Sequence, residues 1–208
     1  MTKIWEKLKH MNLYSRVLIK WIAVGTLVGV VGGVIGSLFH LGVHYATLLR
    51  QENPWILYLL PVGGVLIAGI YKLCRLEGKG TNAVIESVHF GKDVPILLVP
   101  AIFVCTVITH LCGGSAGREG AALQLGGGIT NFLSDRKILR FTENDRRVNI
   151  MCGMSAGFAA LFGTPMAAAI FSLEVVSIGI MHYSALVPCV ISALVAHSII
   201  VNYNPVQD

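Results

Sequence analysis

Five stretches of this chain, residues 21–49, 53–71, 94–117, 148–173 and 175–207, contain no Asp, Glu, Lys or Arg. About 20 apolar residues suffice to cross the hydrocarbon core of a bilayer, so each stretch is long enough to span it. Residues 120–134 are also uncharged but too short. Hydrophobic residues make up 54% of the chain and charged residues 13%, about half the charged share of a soluble domain. The pattern predicts an integral membrane protein built from helices. The first stretch lacks the short core and small-residue cleavage site of a signal peptide, and is read as a lasting anchor.

Basic residues gather at Lys3, Lys7, Lys9, Arg16 and Lys20, at Lys72, Arg75 and Lys79, and at Arg136, Lys137, Arg140, Arg146 and Arg147. The positive-inside rule puts all three clusters, and the N-terminus with them, on the cytoplasmic side, with an even number of crossings from each to the next. Residues 21–49 and 53–71 supply one such pair. Between Lys79 and Arg136 only one full-length span is available, so the short segments at about residues 80–90 and 119–133 are expected to be helices that begin within the membrane. Transporters use broken helices of this kind to hold anionic substrates at the midplane. The net charge of +5 also has a plainer reading, attraction to lipid headgroups.

Within this frame stands Gly113-Gly114-Ser115-Ala116-Gly117-Arg118-Glu119-Gly120-Ala121, an Arg-Glu pair set between uncharged segments. A helix beginning here leaves backbone N–H groups bare at its positive end, where an anion is favoured. The end of the dipole stabilises Glu119 by about 0.3–1 kcal/mol, while a charge at membrane depth costs about 2.5–3.5 kcal/mol. The cost exceeds the gain, which favours a functional carboxylate. Arg118 has two readings, a cation that concentrates anions or a partner for helix-end carbonyls or a nearby acid. Gly117 and Gly120 either bring amides close to an ion through backbone angles open to glycine, or serve tight packing. Thr81 and Asn82 are donors for an ion or N-caps of the short helix that follows. Lys79 either faces the inner mouth of an anion path or belongs to the cytoplasmic positive cluster.

Other features point away from chemistry. Cys74, Cys105, Cys112, Cys152 and Cys189 form no Cys-x-x-Cys pair and read as small buried hydrophobes. The histidines, including His40 and His44, lack carboxylate or cysteine partners at ligand spacing and read as packing or surface residues, so no metal and no cofactor is expected. Gly78-Lys79-Gly80-Thr81 is no nucleotide loop, because Lys is not followed directly by Ser or Thr. No serine has a nucleophile elbow. An enzyme is not expected, nor a nucleic-acid partner. Gly25, Gly29 and Gly33, with Gly32 and Gly36, recur every four residues and predict close helix packing.

Gly117-Arg118-Glu119-Gly120 is followed by Phe158-Ala159-Ala160-Leu161-Phe162-Gly163-Thr164-Pro165-Met166-Ala167-Ala168 and Phe171-Ser172-Leu173-Glu174, and preceded by Gly78-Lys79-Gly80-Thr81-Asn82. In this order the three motifs resemble those of the CLC superfamily of chloride channels and anion/proton exchangers. Its Gly-Arg-Glu-Gly-Pro signature is matched with Ala121 in the proline place, and its Gly-Ser-Gly-Ile-Pro is the diverged motif. The resemblance implies an all-α membrane protein of tilted and re-entrant helices, corresponding to one of the family's two inverted repeats. Residues 1–20 are then a cytoplasmic segment, residues 21–202 are the first repeat, and a second repeat is absent. It implies an anion site at Gly78, Lys79, Gly80, Thr81, Asn82, Gly117, Arg118, Glu119, Gly120 and Ala121, with Glu119 as the gating and proton-carrying carboxylate.

Two departures sharpen the expectation. Lys79 replaces the serine that chloride-handling relatives aim at the anion, and Thr109-His110-Leu111-Cys112-Gly113-Gly114-Ser115-Ala116-Gly117-Arg118-Glu119-Gly120 is similar throughout to the fluoride/proton exchanger clade. Val175 follows Glu174 where many chloride exchangers carry a second, intracellular glutamate. The resemblance thus implies fluoride/proton antiport in the plasma membrane, with a halide (fluoride or chloride), protons and the lipid bilayer as partners. The assembly expected is a homodimer or a complex with a second-repeat chain. A passive channel and a transport-inactive half remain the alternatives, and a fragment, a split gene product and half of a two-chain assembly all fit the length.

Overall fold

A computed structural model describes residues 2–134, 141–176 and 182–203, with side chains described for 15–134, 141–176 and 182–202. Every regular element among them is helical. In chain order these are α1 (Thr2–Glu52), a 3-10 turn (Pro54–Leu59), α2 (Leu60–Leu73), α3 (Thr81–Phe90), α4 (Leu98–Leu111), α5 (Glu119–Leu133), α6 (Glu143–Phe162), α7 (Pro165–Glu174), a second 3-10 turn (Tyr183–Ala185) and α8 (Leu186–Tyr203). The short helices at 80–90 and 119–133 form within a residue of where they were expected.

The expectation of five full-length spans is corrected. Among the described residues, the helical segments Ser15–Glu52, Pro54–Leu73 and Tyr183–Asn202 are long and apolar enough to cross a membrane. The stretch 148–173 is broken between α6 and α7. Gly163 takes φ 66°, in the left-handed region, and Pro165 restarts the chain as the first residue of α7. Proline has no N–H to continue the ladder and biases the residue before it away from helix. The stretch 94–117 yields only the 14 residues of α4, about 21 Å of helix against a core of about 30 Å. The helix stops at Leu111, two residues before Gly113, where φ is 81°. Part of the stretch 175–207, residues 177–181 and 204–207, lies outside the described residues, as do Arg136, Lys137 and Arg140 of the third basic cluster.

The glycine stripes of α1 do what their spacing predicts. A Cβ at Gly25 would sit 3.0 Å from the Pro188 carbonyl oxygen, one at Gly29 2.7 Å from that of Ser192, and one at Gly33 3.0 Å from the Ala196 Cα, so this stripe is the contact with α8. Gly32 and Gly36 form a second stripe against Ala156 and Ala160 of α6. One helix thus packs backbone-close to two neighbours on adjacent faces. At the centre lies α6, whose Ile150, Cys152, Met154, Ser155, Ala156, Ala159 and Ala160 are all fully buried.

Three sets of contacts fix the directions around α5. Gly126 of α5 meets the Gly153 carbonyl and the Gly157 amide of α6, Thr130 meets Gly153, and Asn149 Nδ2 donates to Ser134 Oγ at 2.5 Å, so α5 and α6 are antiparallel. Thr81 meets Gly120, and Val84 fills the space beside Gly127, so α3 and α5 are parallel. Their far ends share one clasp. Arg146 donates through Nε and Nη2 to Asn131 Oδ1 (3.0 and 2.7 Å), through Nη1 to the Gly91 carbonyl (3.1 Å) and through Nη2 to Asp93 (2.6 Å). Arg147 donates to the His89 carbonyl at 3.1 Å. Cations are thus placed on the negative end of α3, the favourable arrangement for a helix C-terminus.

The start of α6 is held in turn. Thr142 and Asp145 form a reciprocal capping box, and Lys20 of α1 reaches Asp145 at 2.8 Å. Burial alone would raise the Asp145 carboxyl, but hydrogen bonds from Lys20 and Thr142 overcome it and hold the group below its ordinary value.

Candidate functional site

The parallel course of α3 and α5 brings the two sequence motifs together at their positive ends. Gly80 caps α3 in an extended conformation (φ −150°, ψ −150°), and no side chain caps the helix. The alternative that Thr81 or Asn82 is the N-cap is therefore corrected: the helix begins at Thr81 itself. A residue already inside the first turn has helical backbone angles, whereas an N-cap does not. The Ala83 amide bonds the Gly80 carbonyl, leaving the amides of Thr81 and Asn82 without a helical acceptor. At α5 the first helical bond runs from the Ala122 amide to the Arg118 carbonyl, so the amides of Glu119, Gly120 and Ala121 are also bare.

Glycine is needed here for space and not for backbone angle. Neither Gly117 nor Gly120 lies at positive φ, which corrects that expectation; Gly78, Gly91, Gly113 and Gly163 do. A Cβ at Gly120 would come 3.0 Å from Thr81 Oγ1, and one at Gly117 would collide with Glu119 Oε2. The first residue keeps the two helix starts in contact, and the second lets the Glu119 carboxylate fold back over the loop. Glu119 is exposed, and among the described residues it makes no hydrogen bond or ion pair.

Of the remaining predicted residues, Arg118 is half-buried, has neither the helix-end nor the acid partner of its second reading among the described residues, and lies within electrostatic reach of His40 on α1. Ala121 is buried behind the first turn of α5. Gly78, at φ 73°, and Lys79 form the exposed turn before α3, and Asn82 faces outward. The structure therefore brings together Gly80, Thr81, Gly117, Glu119 and Gly120, while Lys79 and Asn82 lie at the surface of this chain. Two residues had not been singled out. Arg50, from the end of α1, lies over the loop before Glu119, its Cδ 3.3 Å from where a Gly113 Cβ would be. Gln124, one turn into α5, donates to Thr81 Oγ1 and to the Gly120 carbonyl, each at 3.0 Å. An i, i+4 spacing from Gly120 was the only signal for it in the sequence.

Bare amides and the Thr81 hydroxyl thus meet beside the Glu119 carboxylate, and the start of a helix is the kind of place that favours an anion. Among the described residues no three His, Cys, Asp or Glu side chains gather to hold a metal. A cavity of about 370 Å³, lined in part by Trp21, His89, Arg147 and His182, lies at the opposite end of α3 and is separate from this site.

Residues 63–206 match the family model described as voltage gated chloride channel. The chain belongs to the CLC family. Among CLC relatives, it is 43% identical over 182 residues to a chloride/fluoride channel protein from Pseudomonas syringae pv. tomato, covering 86% of this chain and 40% of the relative. It is 26% identical over 169 residues to an H(+)/Cl(-) exchange transporter from Vibrio campbellii, covering 71% of this chain and 35% of that one. The fold is similar to the crystal structure of a CLC-type fluoride/proton antiporter, with TM-score 0.82, 34% identity, and coverage of 90% of this chain and 47% of the other. A slow cyanobacterial Cl-/H+ antiporter shares the fold at TM-score 0.65 and 22% identity. The chain spans less than half the length of each of these CLC proteins, a partial match that fits one of two repeats. These relatives are channels and exchangers, in keeping with a non-enzymatic protein of the membrane.

Proposed function

We propose that this chain supplies the first-repeat half of a CLC-type transporter that exchanges fluoride for protons, with Glu119 as both gate and proton carrier. The observation that carries the reading is the meeting of two uncapped helix starts at Thr81 and Gly120 beside the unpaired carboxylate of Glu119. Ionised, Glu119 takes the place of the anion at the amides. Protonated, it loses the attraction of the helix end, swings away and admits the halide. A proton is taken up as the carboxylate leaves the amides and released as it returns, so the gate carries one proton per cycle. Fluoride is strongly hydrated, and several converging donors replace its water; Thr81 and the bare amides of Glu119, Gly120 and Ala121 supply them. Similarity to the chloride/fluoride channel protein and to the fluoride/proton antiporter supports this choice of ion.

In this reading residues 1–20 are cytoplasmic, residues 21–202 form the repeat, the host is the plasma membrane, and the working unit is a dimer or a complex with a second-repeat chain. Efflux from liposomes holding the purified chain, with fluoride compared to chloride and internal pH followed in the same vesicles, tests it. Fluoride loss with opposing proton movement is expected.

A passive channel is the second reading, favoured by Val175 in the place of an inner glutamate. Fluoride flux without proton movement selects it. The third reading, a half that is inactive without a partner, is favoured by coverage of only 40% and 47% of the relatives. A folded chain that passes no anion selects that one.

A further inference from the structure

We propose that Gln124 is a positioning residue for the anion site, which holds the Thr81 hydroxyl as a hydrogen-bond donor aimed at the halide. The inference deepens the anion-transport reading and rests on it.

Nε2 of Gln124 lies 3.0 Å from the Gly120 carbonyl oxygen and 3.0 Å from Thr81 Oγ1. A carbonyl oxygen only accepts, so the atom facing it is nitrogen and the orientation of the amide is fixed. Both of its hydrogens are then used, and the second makes Thr81 Oγ1 an acceptor. The hydroxyl proton of Thr81 must point elsewhere, and among the described residues it has no acceptor. Thr81 stands in the first turn of α3 beside the bare start of α5, so its proton is available on the side where the amides converge.

Gln124 does not bind the anion itself. Its remaining atom, Oε1, is buried and without a partner among the described residues, and the residue is only 9% exposed. A buried acceptor left unsatisfied is unfavourable, and lone pairs repel an anion. Flipping the amide would set oxygen against the Gly120 carbonyl and would turn the Thr81 proton inward. The unpaired Oε1 is thus the cost of keeping the Thr81 donor free, and Gln124 acts through Thr81.

The test measures fluoride-dependent rise in melting temperature of the detergent-purified full chain, with chloride as the control anion, since a ligand bound to the folded state raises stability with its concentration. Gln124→Met keeps the length and frees the Thr81 hydroxyl to rotate. It is expected to weaken apparent fluoride affinity about tenfold, the scale of one hydrogen bond to a charged group. Thr81→Val, which removes the donor outright, loses at least as much, Thr81→Ser keeps affinity, and the double variant Thr81→Val/Gln124→Met loses no more than Thr81→Val alone. Should Gln124→Met not fold, Gln124→Asn, one methylene shorter, carries the same expectation. A folded Gln124 variant with unchanged fluoride affinity overturns the proposal, as does a further loss in the Thr81→Val background; both leave the anion reading standing if wild-type fluoride stabilisation persists. Absence of any fluoride-specific shift in the wild-type chain overturns the two together.

Discussion

Arg146 Nη2 lies 2.7 Å from Asn131 Oδ1, and the same guanidinium reaches the Gly91 carbonyl, so one side chain ties the C-terminal ends of α5 and α3 to the start of α6. The opposite ends of those two helices meet at Thr81 and Gly120, where the anion site is proposed. Anchoring one end of each in the same clasp fixes how their N-termini meet.

Arg146→Met is predicted to lower stability by about 2–4 kcal/mol. Asn131 is 4% exposed, so removing its partner leaves a buried acceptor unsatisfied, at about 1–3 kcal/mol, and the Gly91 carbonyl loses its donor as well. The Asp93 carboxylate is 93% exposed and adds little. Thermal unfolding in detergent measures the loss, and an unchanged melting temperature contradicts the clasp.

Gly126→Ala is predicted to be strongly disruptive although it adds one methyl group. The new Cβ would overlap the Gly153 carbonyl of α6, so backbone must move, at about 1–3 kcal/mol or more. Gly64→Ala is the control, because nothing lies within 4 Å of a Cβ there. Expression and monodispersity of the two variants separate the outcomes: equal behaviour contradicts the α5–α6 contact.

Asp145 makes stability fall on the acid side. Its carboxyl is held below the ordinary value by bonds from Lys20 and Thr142, against burial. A group with a depressed folded pKa contributes stability above its unfolded value and loses it as pH falls through the folded one. Melting temperature is therefore expected to drop on the acid side of the ordinary aspartate range, and Lys20→Met is expected to flatten that drop. An identical pH profile in the variant removes Lys20 from the account.

Lys79 stands at the surface in the turn before α3. If its charge draws anions to the helix starts, Lys79→Ser reduces fluoride efflux at low ionic strength, by on the order of tenfold, and the difference shrinks in high salt. Equal efflux at both salt levels assigns Lys79 to the cytoplasmic positive cluster alone.

Much of this was legible in the sequence because it follows from local rules. Charge-free runs, the four-residue glycine spacing of α1 and the bounds of α3 and α5 are set by neighbours a turn away. The break at Gly163 and Pro165 was also in view, but a count of uncharged residues is blind to a left-handed glycine followed by a proline. Gln124, Arg50 and Arg146 were not legible as site or clasp residues. Their roles depend on partners 43 and 55 residues distant for Gln124 and Arg146, and no spacing rule reports which helix ends will meet. Gly120 was read for backbone freedom or for tight packing, and it is the second that its contact with Thr81 bears out, but which residue it would pack against depends on how the two helices meet.

The most direct test of the central claim is proton movement in fluoride-loaded liposomes carrying the wild-type chain or Glu119→Gln. The wild-type chain is predicted to take fluoride out against protons, and the variant, which holds no titratable gate, to move fluoride with no proton flux and no dependence on pH. Undiminished proton coupling in Glu119→Gln would contradict the assignment of gate and proton carrier to the same carboxylate.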